Sequence, residues 1–265
     1  MAKILMKWGG GLITDKSKLM TPDIEKMKHL SQMVRDLSDL GHSIIIVHGA
    51  GSFGHMKAKK WRLKEGKIES IEDSQFDAVC EVRKDMLRLN GLVRSELESF
   101  DLKTESHPPS DWANGTGPEF TGSISEFMSQ EKGLIKTTFG DVVDCEKPKE
   151  FGILSGDDIM VRFSKEIEDI THAIFLLGDA EGLLSSPPGN SDSKLISLWK
   201  SGSVLTGDHD SRIDVTGGIK LKVSSAEKIS EFLSDVWMID GRKPERVIEL
   251  IEEGSTIGTK IVNEA

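Results

Sequence analysis

The sequence predicts an α/β fold with a largely parallel central sheet. Continuous apolar runs such as "HSIIIVH" and "HAIFLL" are typical of strands that are buried on both faces of a parallel sheet. These runs alternate with segments whose apolar residues recur at helical spacing, and glycine-rich turns follow several of them. At 265 residues the chain can bury a substantial core, in one large domain or in two lobes that share a sheet.

The first part of the chain predicts a strand, a helix and a second strand. The first strand covers Lys3–Trp8 and ends in the glycines at residues 9–11. A helix is predicted to begin near Thr21, which can cap it, with Pro22 in its first turn. The run "HSIIIVH" is the next strand, and the lysine-rich stretch 57–73 after it predicts a mobile segment.

The rest of the chain continues the alternation. A long helix is predicted from about residue 74 to residue 100. The segment "LIKTTFGDVVD" predicts two strands around a glycine turn, and "FGILSGDDIMVRFSKEI" predicts a strand, a turn and a helix. The runs "HAIFLL", "DVWMID" and "GTKIV" predict later strands, and "DVTGGIKLK" predicts a glycine turn that opens a helix. A boundary near 168–171 would divide the chain into an N-terminal lobe, 1–170, and a C-terminal lobe, 171–265.

Composition and charge exclude several classes of partner. A net charge of −10 argues against general nucleic-acid binding, although a few lysines can still make a site locally positive for an anionic ligand. Cys80 and Cys145 are the two cysteines, so a disulfide scaffold is not expected and a reducing cytoplasm is the simpler prediction. No stretch is apolar enough to predict a membrane span.

Four glycine turns are predicted at strand ends: "KWGGG", "HGAGSFGH", "LSGDD" and "DVTGGIKLK". Open parallel sheets bind ligands at the carboxyl ends of their strands, where exposed backbone N–H groups and helix N-termini attract phosphate. A single such turn is ordinarily structural. Several turns of this kind, most with a lysine or histidine within a few residues, favour a site for more than one phosphate.

The loop "HGAGSFGH" resembles two nucleotide-binding patterns without fitting either. Gly49, Gly51 and Gly54 have the spacing of a dinucleotide site, but the loop follows the second strand and no acidic residue ends a strand about 20 residues later. The same loop lacks the lysine of a P-loop, because His55 follows Gly54. The remaining interpretation is a backbone cradle for a smaller phosphate, with His55 as a donor at its rim.

The ordered set "MKWGGGLITDK", "VHGAGSFGH", "FGDVV", "SGDDIM" and "DVTGGIKLK" resembles the amino acid kinase family. Within that family it is most similar to the archaeal-type isopentenyl phosphate kinases, from Lys3 to about Val262. The resemblance implies an open αβα sandwich and direct transfer of the γ-phosphoryl group of ATP, with Mg²⁺, to isopentenyl phosphate. It further implies an acceptor site in the N-terminal lobe, an ATP site in the C-terminal lobe, and a homodimer.

The resemblance also implies roles for individual residues. Lys7 would bridge the acceptor phosphate and the transferring group, Lys16 and Lys222 would contact the ATP phosphates, Asp157 would hold the flanking lysines, and His55 would bind the acceptor phosphate. The ATP-binding positions implied are Lys7, Gly9, Gly10, Lys16, Gly178, Asp179, Gly182, Gly217, Gly218 and Lys222. The substrate-binding positions implied are Gly49, Ala50, Gly51, Gly54, His55, Val79, Val82, Met86, Gly140 and Gly156. No side chain is predicted to ligate a metal.

Several of these residues also have a purely structural interpretation. Asp157 could merely cap the helix that "SGDDIM" opens, and Val79, Val82 and Met86 are spaced as one core-facing side of a helix. The turn "GDAEG" stands where the family commonly has "TDVDG", which affects the nucleotide contacts, and Lys136 and Thr137 in "IKTT" predict a more polar wall. Three other functions remain open: a kinase of another small phosphate or phosphonate, as in the fosfomycin kinases, a non-catalytic nucleotide-binding regulator, and an NAD-dependent oxidoreductase.

Overall fold

The computed structural model describes residues 1–15, 17–129, 131, 133–186, 192–203 and 218–263. Its strands are β1 (Lys3–Trp8), β2 (Ser43–His48), β3 (Lys103–Ser106), β4 (Leu134–Phe139), β5 (Asp141–Asp144), β6 (Phe151–Leu154), β7 (Ile170–Leu177), β8 (Leu198–Lys200), β9 (Val236–Asp240) and β10 (Thr259–Val262). Its α-helices are α1 (Gly10–Ile13), α2 (Ile24–Asp39), α3 (Gly51–Lys60), α4 (Glu72–Glu98), α5 (Pro109–Trp112), α6 (Ser125–Met128), α7 (Gly156–Glu166), α8 (Gly218–Ser230) and α9 (Glu245–Glu253).

One eight-stranded sheet runs through the molecule in the order β3-β4-β2-β1-β7-β9-β10-β8. The six strands from β3 to β9 are mutually parallel, whereas β10 pairs antiparallel with β9 and β8 follows β10. β5 and β6 form a separate antiparallel hairpin. The predicted α/β class with a largely parallel sheet is therefore confirmed.

Helices cover both faces of this sheet, as the continuous apolar strands require. Core residues of α2, α4 and α9 pack with Ile4, Met6 and Trp8 on one face. Core residues of α7 and α8 pack with Leu5 on the other. Successive residues of β1 thus alternate between two separate cores, and the resulting αβα sandwich is the architecture expected.

At β1 the chain changes the side of the sheet to which it adds strands. The chain moves outward from β1 through β2 towards β4 and β3, then returns to lay β7 against the opposite side of β1. Such a switch point is where open α/β sheets bind ligands, outside the carboxyl ends of the strands. The expected boundary at 168–171 falls just before β7, and the division into two lobes stays a prediction because both halves pair with the same strand.

Two local predictions are wrong, for identifiable reasons. The helix expected to begin at Thr21 begins at Ile24, because the side chain of Asp23 accepts the N–H of Lys26 at 3.2 Å and caps it. The stretch 57–73 is ordered rather than mobile, with α3 reaching Lys60 and two short 3₁₀ turns after it. Buried Gln75 stabilises these turns by accepting the N–H of Ile68 and donating to two backbone carbonyls.

Several elements are absent from the sequence prediction, among them the short helices α1, α5 and α6, the helix α3, two edge strands and α9. β3 is a short polar strand at one edge of the sheet, β8 is a short strand at the other edge, and α9 lies between β9 and β10. Edge strands carry little of the apolar signal that identifies central ones. Among the described residues, none of the helices has the length and apolar character needed to cross a membrane.

The glycine loops after β1 and β2 touch backbone to backbone. A Cβ on Gly49 would lie 2.6 Å from the nitrogen of Gly10, and a Cβ on Gly10 would lie 2.8 Å from Cα of Gly51 and overlap its nitrogen. Gly51 also has a φ of +50°, and a Cβ there would lie 2.5 Å from the carbonyl oxygen of Gly10. Because backbone atoms cannot rotate away as side chains can, these positions accept only glycine.

We expect Gly10→Ala to lower the free energy of unfolding by more than about 2 kcal/mol, because the new methyl group must push two backbones apart. Gly91→Ala is the matched control, since a Cβ at this position in the interior of α4 meets no atom within 4 Å. The control should stabilise the protein by about 0.5–1 kcal/mol. Urea unfolding of both variants tests the prediction, and equal effects of the same sign would contradict it.

Candidate active site

The glycine turns meet at the carboxyl edge of the central strands. Gly9 N–H donates to the carbonyl of Leu176 at 3.2 Å, which joins the ends of β1 and β7. Gly49 N–H donates to Trp8, and Gly140 N–H donates to His48, each at 3.0 Å, which adds the ends of β2 and β4. Four neighbouring strands therefore end in one continuous row of backbone turns, and this row is the candidate site.

A buried ion pair lies under this row. Lys7, on β1, and Asp157, at the start of α7, are 5% and 6% exposed, and the Nζ of Lys7 contacts Oδ1 of Asp157. The alternation of β1 directs Lys7 away from the face of Met6 and Trp8 and towards α7. Lysine side chains are rarely buried unless their charge is compensated, and here Asp157 supplies the compensation for a cation at the switch point.

The start of α7 is shaped to receive this lysine. Gly156 packs closely enough that an added Cβ would lie 3.4 Å from Cε of Lys7 and 3.2 Å from Val47. The helix cap is Ser155, whose hydroxyl accepts the N–H of Asp158 at 3.1 Å. The alternative in which Asp157 serves only as a cap is therefore wrong, because its carboxylate pairs with Lys7 instead.

The acceptor loop, residues 49–55 and named for its predicted role, continues from β2 directly into α3. Ala50 occupies the cap position of α3, and His55 lies on its second turn with an exposed side chain. Lys57 anchors this helix to α4 through Oδ2 of Asp85 at 2.6 Å and Oε2 of Glu81 at 3.1 Å. Its N-terminal backbone N–H groups stand at the carboxyl edge of the sheet, where an anion is favoured.

The apolar residues predicted for the acceptor lie directly behind the loop. A Cβ on Gly54 would lie 3.2 Å from Sδ of Met86 and 3.6 Å from Val82, so α4 packs against α3 at this glycine. Val79, Val82 and Met86 are all buried in the core on this face. Core packing is therefore their observed role, and contact with a substrate stays a prediction.

The predicted nucleotide residues lie on the other side of β1. Gly178 packs against α1, since an added Cβ would lie 2.9 Å from the carbonyl oxygen of Gly11. Asp179 and Gly182 follow in the turn after β7. Lys222 lies on α8, where its Nζ donates to the carbonyl of Gly218 at 2.9 Å. Two predicted residues, Lys16 and Gly217, lie outside the described residues.

Sequence reasoning gave His48 no part in the chemistry, and the structure buries its ring completely under the acceptor loop. Nδ1 is 3.1 Å from the carbonyl of Gly49, Nε2 is 3.1 Å from the amide of Asn90, and the ring stacks on Phe139. Burial lowers the pKa of His48 to about 4, so the ring is neutral near pH 7. A neutral ring carries one N–H, which can donate either from Nδ1 to the carbonyl of Gly49 or from Nε2 to Oδ1 of Asn90, whose Nδ2 donates to Ser106.

The expected polar wall is not formed by Lys136. Its side chain is buried and its Nζ donates to the carbonyl of Ser129 at 2.6 Å and to the Ser129 hydroxyl at 2.9 Å, next to the end of α6. These carbonyl partners explain a lysine within a buried strand, because they compensate its charge at a helix C-terminus.

Asp141 is a second buried charge that sequence reasoning missed. It follows Gly140 directly, and one carboxylate oxygen accepts the N–H of Val142 at 2.8 Å while the other meets no hydrogen-bond partner among the described residues. Burial raises the pKa of Asp141 to about 7. The carboxyl group therefore changes charge in the neutral range, beside the turn that follows β4.

Comparison with known proteins agrees with the fold. Residues 2–231 match the profile of the amino acid kinase family, and the chain belongs to that family. It is 30% identical to the isopentenyl phosphate kinase of Thermoplasma acidophilum, over 97% of this chain and 99% of that protein. It is 28% identical to the isopentenyl phosphate kinase of Methanocaldococcus jannaschii, over 84% of this chain and 86% of that protein.

Solved structures give the same result. A product complex of the T. acidophilum isopentenyl phosphate kinase superposes with a TM-score of 0.79 at 27% identity, covering 98% of this chain and all of that one. A substrate complex of an isopentenyl phosphate kinase gives the same TM-score at 28% identity. The chain is thus a phosphotransferase of this family.

Asp157→Asn should lower the free energy of unfolding by about 3–5 kcal/mol, because it leaves the Lys7 cation buried without its partner. The double variant Lys7→Met with Asp157→Leu should lose less than the single variant, since neither charge then remains. Chemical denaturation at neutral pH measures both. A single variant as stable as the unchanged protein would show that the pair is not energetically linked.

Asp141→Asn should change how stability depends on pH. Because the pKa of Asp141 is raised on folding, its contribution is present below the ordinary value near 3.8 and is lost as the pH rises through about 7. Removing the ionisable group should therefore stabilise the protein at pH 8 relative to pH 4, by up to about 4 kcal/mol. Denaturation across this range, with exposed Asp77→Asn as control, measures the effect; parallel curves for all three proteins would contradict it.

Proposed function

We propose that this protein transfers the γ-phosphoryl group of ATP to isopentenyl phosphate and forms isopentenyl diphosphate. The observation that carries the proposal is the buried Lys7–Asp157 pair beneath a row of glycine turns, with His55 exposed at the rim. The relatives that match most of this chain and most of their own length are named isopentenyl phosphate kinases, which supports this substrate over other acceptors of the family.

The chemistry needs positioning and charge compensation more than covalent help. An acceptor phosphate carries a nucleophilic oxygen at neutral pH, so a strong general base is unnecessary. Two anions must instead approach each other, and cations have to offset their repulsion. In the proposed arrangement Lys7 serves this purpose between the two ligands, while Lys16 and Lys222 contact the ATP phosphates.

The acceptor phosphate would rest on the start of α3. Gly49, Ala50, Gly51 and Gly54 present backbone without bulky side chains, and His55 adds a side-chain donor. The N–H groups of Ser52, Phe53 and Gly54 already donate to Thr14 and Ala50, so the attraction of this helix N-terminus for an anion would come from its dipole. His48 holds the carbonyl of Gly49 from below, which fixes the direction of this loop.

The nucleotide would lie over β7 and α8, on Gly9, Gly10, Gly178, Asp179, Gly182, Gly217 and Gly218. Neighbouring backbone lies so close to Gly10 and Gly178 that no side chain fits there. A phosphate could approach this backbone only because both residues lack a side chain. Mg²⁺ would arrive on the ATP phosphates, since this ion keeps most of its water and is bound largely through substrate oxygens. When present, it would neutralise charge that develops on the transferred group.

Two further properties belong to the proposal. The unpaired thiols of Cys80 and Cys145 support a reducing compartment, the cytoplasm. A homodimer is expected from the family resemblance, and light scattering on the purified protein would test it. The N-terminal half would then supply the acceptor site and the C-terminal half the ATP site.

A polar wall at "IKTT" would suit a non-isoprenoid acceptor. Lys136 does not form this wall, because its Nζ donates to the carbonyl and the hydroxyl of Ser129 at the end of α6, and the buried hydroxyl of Thr137 donates to the carbonyl of Glu105. These two side chains therefore do not favour the phosphonate alternative, and the apolar face of α4 behind Gly54, which is filled by core packing, favours neither acceptor.

The proposal is tested by measuring ADP release with isopentenyl phosphate, dimethylallyl phosphate, simple alkyl phosphates and fosfomycin. The expected result is a kcat/KM for isopentenyl phosphate at least tenfold above that for the non-isoprenoid acceptors. A preference for fosfomycin or no discrimination among the compounds would overturn it. Nucleotide binding without turnover of any acceptor would favour the regulator instead.

His55→Ala should lower kcat/KM for the acceptor by about 10- to 100-fold, because a hydrogen bond to a charged phosphate contributes about 1.5–3 kcal/mol. His29→Ala is the matched control, since it removes an exposed histidine from α2, away from the site. The melting temperature of both variants should stay near that of the unchanged protein. Turnover of the His55 variant at the full rate would remove this residue from the mechanism.

A further inference from the structure

The turn after β7 is fixed at three separate points. At its start, Gly178 rests on α1, with an added Cβ only 3.0 Å from the nitrogen of Leu12. At its end, the N–H of Leu183 donates to the hydroxyl of Thr259 at 2.7 Å, and that hydroxyl donates to the carbonyl of Ile196 at 2.6 Å. The third point, between these two, is Glu181.

Glu181 reaches from this turn to helix α9. Its Oε1 accepts from Nη2 of Arg246 at 2.8 Å and lies 3.8 Å from Nζ of Lys243. The hydrogen bond from Arg246 lowers the pKa of Glu181, so the carboxylate is ionised at neutral pH. The pair joins two segments that lie 65 residues apart in the chain.

The two side chains differ in burial, and the buried guanidinium of Arg246 requires the carboxylate of Glu181 to compensate its charge. The side chain of Arg246 is 7% exposed, whereas that of Glu181 is 46% exposed. The nearby carboxylate of Asp240 is already held by Arg242 through two hydrogen bonds of 2.7 Å. Glu181 is therefore the carboxylate that directly compensates the buried guanidinium within the described part of the chain, and a buried cation without such a partner is strongly unfavourable.

We propose that Glu181 and Arg246 act as a positioning pair that holds the turn after β7 in its nucleotide-binding form. The inference rests on the proposed function, in which Gly178, Asp179 and Gly182 of this turn contact ATP. Neither member of the pair needs to touch the nucleotide. Their effect is to fix the turn between its anchors at Gly178 and Thr259, so that ATP does not have to order it on binding.

The pair also gives a reason for the glutamate of "GDAEG". The carboxylate has to cross from the turn to α9, and an aspartate is shorter by one methylene. Because the backbone of the turn is held on both sides, a shorter side chain cannot reach the guanidinium of Arg246. The glutamate of "GDAEG", which stands where the family commonly has an aspartate, is thus paired in this chain with an arginine on α9.

The test compares Glu181→Gln, Glu181→Asp, Arg246→Gln and the double variant Glu181→Gln with Arg246→Gln. We expect Kd for ATP by calorimetry, and KM for ATP, to rise about five- to twentyfold in both Glu181 variants, while KM for isopentenyl phosphate stays within twofold. The double variant should bind ATP no more weakly than Arg246→Gln alone, because the interaction is lost only once. Glu245→Gln, an exposed glutamate next to Arg246 on α9, is the control and should bind ATP as the unchanged protein does.

The outcomes separate this inference from the proposed function. Unchanged affinity for ATP in folded Glu181→Gln overturns the inference, as does an equal loss for both substrates together with a lower melting temperature. Strictly multiplicative effects of the two single variants also overturn it, because they show no coupling. If the unchanged protein binds ATP but does not phosphorylate isopentenyl phosphate, the proposed function fails, and the calorimetric comparison still decides the role of the pair.

Discussion

The contact between Lys7 and Asp157 is the interaction on which the rest of the site depends. A lysine in the middle of the sheet would be intolerable without a partner, and the partner comes from the first turn of a helix on the neighbouring face. This requirement fixes where α7 must start and explains why Gly156, which lets that helix approach, precedes the aspartate. The position of the Lys7 cation, the start of α7 and the shape of the turn before it therefore follow from a single constraint.

The second constraint is steric. Loops from neighbouring strands approach so closely at the carboxyl edge that Gly10, Gly49 and Gly51 leave no space for side chains. A surface made of bare backbone offers many N–H groups and little bulk, which is the property that phosphate recognition requires. The two constraints act together, because the cation lies beneath the same edge that the glycines expose.

Much of this could be predicted from the sequence, and the exceptions have physical causes. The central strands were recognisable because burial on both faces makes them apolar throughout, and the glycine turns were recognisable because backbone contact excludes other residues. β3 escaped prediction because an edge strand needs no apolar run, and the ordered stretch after α3 depends on Gln75, whose three hydrogen bonds have no sequence signature. Arg246 was not predicted, because its partner, Glu181, is distant in the chain.

The position of β1 has a consequence for how the chain acquires its activity. β1 is synthesised before the other strands of its sheet, yet one of its two neighbours, β7, begins at Ile170, and the partner of Lys7 is 150 positions further along. Closing contacts over such separations slows folding, because the chain loses entropy before the contacts form. A nascent chain that ends before α7 would carry the acceptor loop but leave Lys7 without its counter-ion. The buried ion pair of the candidate site therefore forms late, through long-range closure of the sheet rather than within any local segment.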